Sequence, residues 1–251
     1  MTKLSIVIPA RNEADNIVAL VEAIDRAMQA FSPFEIIVVD DGSTDPSVAR
    51  LQACATGMPH LRVILHDIPA GQSAAVHSGV MAASAPIVLT LDGDGQNPPE
   101  ELPKLAAPLL ADQTGRIGLV AGQRVGRQDT WSKKLASRFA NAVRAWVLQD
   151  GTRDTGCGLK GFRRDAFLAL PYFDHMHRYL PALFARDGWG IELVDVSHRA
   201  REAGRSNYSN LQRGLVGVVD LIGVAWLLRR RKKARPQQVI PAQAGSQTKG
   251  H

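Results

Sequence analysis

Residues 86–100 read PIVLTLDGDGQNPPE, and the fold turns on how this stretch is understood. From Ile87 to Leu91 it is apolar apart from one threonine, as in a strand covered on both faces. It stops abruptly at two carboxylates, Asp92 and Asp94, followed by a glycine, a glutamine and two prolines. Around Gly93 the two acids point the same way in an extended chain. Together they can grip a hard divalent cation through oxygen, Mg2+ or Mn2+, with a substrate diphosphate completing the shell. A bare Asp-x-Asp is a common solvated turn, and its weight here comes from its place at a strand end.

Four further runs share this apolar, β-rich character: LSIVIP (4–9), FEIIVVD (34–40), LRVILH (61–66) and IGLVAG (117–122). Helical patterns separate them near 13–30, 45–56, 72–83 and 99–112. The alternation predicts an α/β fold, with a mainly parallel sheet and helices on both faces. Ligands in such sheets bind outside the carboxyl ends of the strands. Asp40, Asp41, Asp92 and Asp94 all fall at such ends. After residue 122 the rhythm changes. The loop QRVGRQDT leads to a helix near 131–148, then to a polar turn, QDGTRDTGCG. Short helices near 164–170 and 176–187, a strand at 190–198 and an apolar helix at 211–228 follow.

Composition narrows the class. With 251 residues, 45% of them hydrophobic, the chain can bury one sizeable core. Cys54 and Cys157 offer neither a disulfide framework nor zinc spacing, so a reducing, cytosolic setting is expected. The N-terminal apolar run is too short for a signal peptide. The net charge is +6, yet seven of the 30 lysines and arginines lie from Arg229 onward, where there are no acids. The rest of the chain is close to neutral. This argues against a nucleic-acid face and points to a local anionic partner such as a lipid surface.

The first strand end, IPARNEADNI, lacks the glycine-rich turn of dinucleotide-binding folds. A nicotinamide enzyme and a sugar-nucleotide pyrophosphorylase are both disfavoured. Glu13 can accept hydrogen bonds from a base or ribose. In the competing reading Asn12 caps the next helix and Glu13 favours its dipole. At the second strand end Asp40 and Asp41 are adjacent and cannot share a direction. One can face a ligand and the other the next helix, with Ser43 or Asp45 as that helix's cap.

Seven segments in order, SIVIPARNEADNI, IIVVDDGSTD, GQSAAVHSG, LTLDGDGQNPPE, AGQRVGRQDTW, RDTGCGLKGFRRDAF and SHRAREAGRSNYS, resemble the family-2 inverting glycosyltransferases. The branch they look most like is the dolichyl- and polyprenyl-phosphate sugar transferases. The resemblance spans about residues 3 to 228. It implies the GT-A (Rossmann-like) fold, a nucleotide-sugar donor, a lipid-phosphate acceptor and a divalent metal. Pro9, Glu13 and Asp41 match positions around the donor's base and ribose, and Gln72 a nucleotide-contacting turn that often carries Lys or Arg. Asp92 matches the first acid of the metal motif and Asp94 the acid that holds the metal. Arg124 matches an arginine near the acceptor phosphate, and Asp154 lies in the acceptor-side motif. Arg199, Arg201 and Arg205 fall in a late basic loop that closes over the diphosphate. Many relatives carry Gly-x-Ser-Lys-Tyr there. This chain reads Gly204-Arg205-Ser206-Asn207-Tyr208, so Arg205 stands in for the missing lysine.

The implied chemistry follows from charge. Negative charge grows on a departing nucleoside diphosphate, and a metal and arginines stabilise it. A hydroxyl acceptor needs a general base, for which Asp154 is placed. A lipid phosphate, with a second pKa of roughly 6, needs none, and Asp154 then positions the acceptor or the metal. A catalytically silent scaffold is the third alternative, and the intact acid pair argues against it. His175 and His177 show no third ligand and are not expected to bind metal. Cys157 is read as a small buried residue, and Trp131, Trp146 and Trp189 as core.

The expected organisation is a GT-A domain over 1–208, an amphipathic helix and basic cluster over 209–235, and a disordered tail over 236–251. GLVGVVDLIGVAWLL (214–228) would reach only about 22 Å as a helix, against a hydrocarbon core of about 30 Å. Asp220 in its middle adds roughly 2.5–3.5 kcal/mol to any crossing. A helix lying on the membrane surface is therefore expected. Arg229, Arg230, Arg231, Lys232 and Lys233 would hold it to an anionic leaflet, peripherally and on the cytoplasmic face.

Overall fold

The computed structural model describes residues 2–125, 144, 147–148, 150–199 and 210–230, with side chains of the last segment from 217 onward. The apolar runs become strands at nearly the expected places: β1 (Leu4–Ala10), β2 (Phe34–Asp40), β3 (Leu61–Leu65), β4 (Ile87–Thr90) and β5 (Ile117–Arg124). Two more complete the sheet, β6 (Lys160–Arg163) and β7 (Gly190–Val196). The order is β3-β2-β1-β4-β6-β5-β7. All neighbours run parallel except β6, which is antiparallel to both β4 and β5. β2 and β4 are buried along their whole length, whereas the edge strands β3 and β7 are partly exposed. The run of apolarity in the sequence tracks position in the sheet.

Helices cover both faces. α1 (Ile17–Met28) buries Ile17, Leu20, Val21, Ile24 and Met28, a three-to-four-residue spacing that makes one apolar stripe. It shares a core cluster with Ile6, Ile8, Ile36 and Val38 and with α4 (Leu102–Ala111). α2 (Ser47–Gly57) adds Leu51 to the same cluster. On the opposite face α3 (Gln72–Ala82) packs with Val7, Ile37 and Val39. A Cβ on Gly79 would collide with Val7, so only glycine lets α3 lie this close to β1. That second cluster continues through α5 (Arg164–Leu168) and α6 (Leu180–Arg186), where the Phe162 and Phe167 rings stack 4.7 Å apart.

The crevice of this sheet lies at the carboxyl ends of β1 and β4. The β1–β4 ladder ends at the pair Val7 and Thr90, while β1 continues through Pro9 to Ala10. Pro9 therefore lies inside the strand and does not end it. It sits beyond the last pair with β4. The Asp92–Gln96 turn then folds back onto β1. A Cβ on Gly93 would lie 3.0 Å from the Pro9 carbonyl oxygen, so the turn needs a glycine there.

Strand β6 was not foreseen. The sequence reading runs from the polar turn directly into a helix near 164, yet four residues of antiparallel strand lie between β4 and β5. Their central place buries Lys160, Gly161 and Phe162. The helix expected near 131–148 lies outside the described residues except for Arg144, Val147 and Leu148. The last helix, α7 (Asn210–Arg229), forms where an apolar helix was expected.

At the amino end of the sheet Glu35 joins β1, β2, β3 and the turn before β4. Its Oε1 accepts hydrogen bonds from Ser5 Oγ (2.7 Å), Ser84 N–H (2.7 Å) and Ser84 Oγ (2.6 Å), and its Oε2 from Arg62 Nη1 (2.8 Å). Burial pushes the carboxyl pKa up, but the bonds from Ser5, Ser84 and Arg62 outweigh it and hold the value at about 2. A folded-state pKa below the unfolded value of about 4.3 means stability that is present above that pH. It is lost as pH falls toward 2. Glu35→Gln should therefore cost roughly 2–3 kcal/mol at pH 7. The difference from the unsubstituted chain should shrink between about pH 5 and 2 in denaturant titrations. An equal cost at pH 7 and pH 2 would contradict this linkage.

Candidate active site

Two loops at the carboxyl ends of β1 and β2 clamp each other. Asn12 and Glu13 donate their N–H groups to Ser43 Oγ (2.8 Å) and Ser47 Oγ (3.0 Å), and Ala14 N–H donates to Asp45 Oδ2 (3.0 Å). In return Thr44 N–H donates to Asn12 Oδ1 at 2.8 Å. Asn12 has a left-handed backbone (φ 57°) and does not cap α1. Glu13 stays in the cleft, with Asn16 Nδ2 donating to its Oε2 at 3.1 Å. Asp45 does serve the start of α2, accepting the Ser47 N–H at 3.0 Å.

Asp40 and Asp41 diverge as their adjacency requires. Asp40 accepts the Ser43 N–H at 2.9 Å. Asp41 turns to the 66–71 loop and accepts from Ala70 N–H, Gly71 N–H and His66 Nδ1, each at 2.8 Å. Burial raises its pKa, but the Ala70, His66 and Gly71 donors overcome this and leave it below the usual carboxylate range. These bonds fix Gly71 at φ +90°, a backbone conformation that favours glycine, immediately before α3. The next residue is Gln72, the first of α3.

Gln72 Nε2 donates to Asp92 Oδ1 at 2.7 Å, and Asn97 Nδ2 donates to Asp92 Oδ2 at 3.1 Å. The Asp92 carboxylate lies directly against Gly158, where a Cβ would overlap it. Burial and the charge of Asp94 push the Asp92 carboxyl pKa up, against the opposing pull of Lys160, Asn97 and Arg124. Lys160, buried on β6, donates Nζ to the Cys157 carbonyl, and burial lowers its pKa. Asp94 accepts the Gln96 N–H (3.1 Å) and Gln96 Nε2 (2.6 Å). Both Asp92 and Asp94 thus present oxygens at one turn with amide donors behind them.

Arg124 and Asp154 form a bidentate pair, Nε to Oδ2 at 2.5 Å and Nη2 to Oδ1 at 2.9 Å. Asp154 Oδ1 also accepts the Gly156 N–H at 3.0 Å. The bond to Asp154 raises the Arg124 pKa further. Gln123, buried in β5, holds the turn by accepting the N–H groups of Arg153 (2.8 Å) and Asp154 (3.0 Å). Arg199 donates its backbone N–H to the Gln96 carbonyl at 3.0 Å and pairs with Glu100 at 3.2 Å, so the loop after β7 rests on the acid turn. Arg201 and Arg205 lie outside the described residues.

A cleft of about 340 Å³ brings together Pro9, Glu13, Asp41, Gln72, Asp92 and Asp94. A second compartment of about 320 Å³ shares Pro9, Gln72 and Asp92 with it and continues past Thr155, Gly156, Lys160 and His177. Lys160, Asn97 and Gln123 were not selected from the sequence, whereas His177 was weighed there and not expected to bind metal. Of the three, Lys160 alone left a trace, as a cation within LKGF. Among the described residues no group of three or more His, Cys, Asp or Glu side chains gathers as a metal cage.

α7 turns Asp220 toward the domain. Asp220 Oδ2 lies 3.1 Å from His175 Nδ1, and Tyr179 Oη donates to the Gly217 carbonyl at 3.4 Å. Val224 is buried with Leu221 and Leu228 against the second core cluster. Val218, Val219, Ile222 and Trp226 face outward, between 58% and 69% exposed, although they are apolar. Arg230 stacks over Trp226 with its guanidinium 5.9 Å from the ring centroid. Among the described residues no helix is long and apolar enough to cross a membrane.

The chain has the GT-A fold that the resemblance implies. Glucosyl-3-phosphoglycerate synthase of Mycobacterium tuberculosis shares it, with a TM-score of 0.69 at 21% identity over 90% of this chain and 80% of that one. The same enzyme solved with Mn2+, UDP-glucose and phosphoglyceric acid gives 0.68 at 22% identity, over 90% and 79%. The model of glycosyl transferase family 2 matches residues 5–170, and the chain belongs to that family. Its relatives include two undecaprenyl-phosphate 4-deoxy-4-formamido-L-arabinose transferases. That of Proteus mirabilis is 36% identical over 219 residues, 84% of this chain and 64% of the relative. That of Serratia proteamaculans is 38% identical over 213 residues, 82% and 63%. The chain thus spans less than two thirds of the length of these relatives.

The contact between Asp92 and Gly158 gives a sharp expectation. Gly158→Ala should displace the Asp92 carboxylate from Gln72 and Asn97 and sharply weaken nucleoside diphosphate binding in calorimetric titration. The melting temperature should fall by a few degrees at most, because the cleft and not the core is disturbed. Unchanged binding would show that the position of Asp92 does not matter to the ligand.

Proposed function

We propose that the chain is an inverting glycosyltransferase that moves a sugar from a nucleotide-sugar donor to the phosphate of a polyprenyl-type membrane lipid. The observation that carries this reading is the single cleft holding Pro9, Glu13, Asp41, Gln72, Asp92 and Asp94 at the sheet's switch point. The names of the relatives support the lipid-phosphate acceptor.

The residues present fit a divalent cation. Asp92 and Asp94 are hard oxygen donors, and burial and like charge raise the Asp92 carboxyl, a cost that a dication relieves. Mg2+ is commonly held by one or two carboxylates with substrate phosphates, and Mn2+ accepts the same ligands. Asp94 would hold the ion, with Asp92 beside the nucleotide. Such an ion supplies positive charge to the diphosphate that leaves. Glu13 and Asp41 shape the nucleoside end, and Gln72 orients Asp92. Arg199 fixes the base of the loop whose Arg201 and Arg205 would close over the diphosphate.

The bonding of Asp154 supports a phosphate acceptor. Both of its oxygens are taken by Arg124, and one also by the Gly156 N–H. A carboxylate so committed is a poor proton acceptor, while a lipid phosphate is largely ionised at neutral pH and needs no base. Asp154 then holds Arg124 toward the acceptor phosphate. Access to the lipid would come from α7, through Val218, Val219, Ile222 and Trp226. The basic residues Arg229 and Arg230 would assist, with Arg231, Lys232 and Lys233 beyond the described residues. The cytoplasmic face is the side this charge favours.

Asp94→Asn should abolish divalent-dependent sugar transfer and leave the melting curve intact. Full activity in that variant, or in excess chelator, would remove the metal from the account. Asp154→Asn should lower the rate without changing its dependence on pH. If instead the acid-side fall in rate disappeared, Asp154 would be a base and the acceptor a hydroxyl. The full chain should float with anionic liposomes at low salt and be released at high salt. Failure to float would contradict the membrane-surface role of α7.

A further inference from the structure

The second compartment holds a group with no part in the steps above. His177 lies in the 3-10 turn Met176–Arg178, directly after His175, whose backbone is left-handed (φ 63°). One side of this turn is held by α7, through Asp220 on His175 and Gly217 on Tyr179. Ser73, buried near the start of α3, holds the other side. Ser73 Oγ accepts the His177 N–H at 3.3 Å and lies 2.7 Å from the ring's Nδ1.

These two contacts fix the tautomer. Ser73 Oγ has no other hydrogen-bond partner among the described residues. Were the ring proton on Nδ1, the buried hydroxyl would receive two donors and have no acceptor for its own hydrogen, a costly arrangement. With the hydroxyl donating to Nδ1, both Ser73 Oγ and Nδ1 are satisfied and the ring proton sits on Nε2. Nε2 has no protein partner among the described residues, and the ring lines the compartment with Gln72, Asp92, Thr155, Gly156 and Lys160. Burial keeps the ring neutral, well below the ordinary histidine pKa, with Lys160, Arg178 and His175 acting in the same direction.

We propose that the Nε2–H of His177 donates a hydrogen bond to a substrate phosphate oxygen in this compartment. Lys160 and Arg178 line the same space, so an anion is what the compartment suits. A neutral imidazole adds a directed donor there without a third cation to desolvate. This inference rests on the proposed function and specifies one contact within it. The phosphate has two sources, the donor's diphosphate and the lipid acceptor's phosphate.

The test is calorimetric titration of the full chain and two variants, His177→Gln and His177→Leu. Glutamine keeps an N–H near the Nε2 position, and leucine keeps the volume without a donor. The probes are farnesyl phosphate and, with Mn2+, whichever of UDP, GDP and CDP binds the unsubstituted chain most tightly. The leucine variant should bind one probe about tenfold to hundredfold more weakly, the range for a lost hydrogen bond to a charged group. Glutamine should recover most of that loss. A loss confined to the nucleotide assigns the contact to the donor diphosphate, and one confined to farnesyl phosphate assigns it to the acceptor. Equal binding of both probes by the leucine variant and the unsubstituted chain overturns the inference alone. An unsubstituted chain that binds neither probe overturns the proposed function, and the inference with it.

Discussion

The seat of the Asp92 carboxylate is the constraint on which the rest of the site depends. It is an acid at the end of a buried strand, close to a second acid, and both circumstances disfavour its charge. Three separate segments meet to hold it. α3 supplies Gln72, the turn after Asp94 supplies Asn97, β6 supplies Lys160, and Gly158 offers a bare backbone against which the carboxylate lies. An acid kept in place at such cost is most useful where positive charge arrives with a ligand.

The other parts of the site follow from this seat. Asp41 orders the 66–71 loop so that α3 begins with Gln72 within reach of Asp92. The antiparallel β6 brings Gly158 and Lys160 beneath the acid. The same excursion of the chain returns Asp154 to Arg124 at the end of β5. α7 closes the far wall by bracing the turn that carries His177, and leaves an apolar face outward. The cleft at Asp92, the Arg124–Asp154 pair and α7 are thus mechanically joined, an arrangement that the proposed transfer to a lipid acceptor would use.

Much of this was legible in the sequence because it is periodic. Continuous apolar runs gave β1, β2, β4 and β5 within two or three residues, and the acids fell at strand ends where the parallel topology puts ligands. What escaped notice was local and short. β6 is four residues long with a lysine at its start, and nothing in KGFR distinguishes a buried strand from a turn. Its burial comes from its neighbours, not from its composition. Asn12 reads as a helix cap, yet the facing loop offered it Thr44, and tertiary bonding overrode the local preference. The partnership of Arg124 with Asp154, 30 residues apart, and of Ser73 with His177, 104 apart, depends on sheet order, which no spacing reveals.

The central claim is that the carboxylate at position 92 makes a joint site for metal and diphosphate. Electron paramagnetic resonance of Mn2+ tests it directly, since free aqueous ion gives a strong six-line signal that bound ion does not. The unsubstituted chain should deplete that signal when a nucleoside diphosphate is added, beyond the depletion by nucleotide alone, and Asp92→Asn should not. Equal depletion by the two proteins would show that the metal and the diphosphate are held without Asp92, and the account would fail.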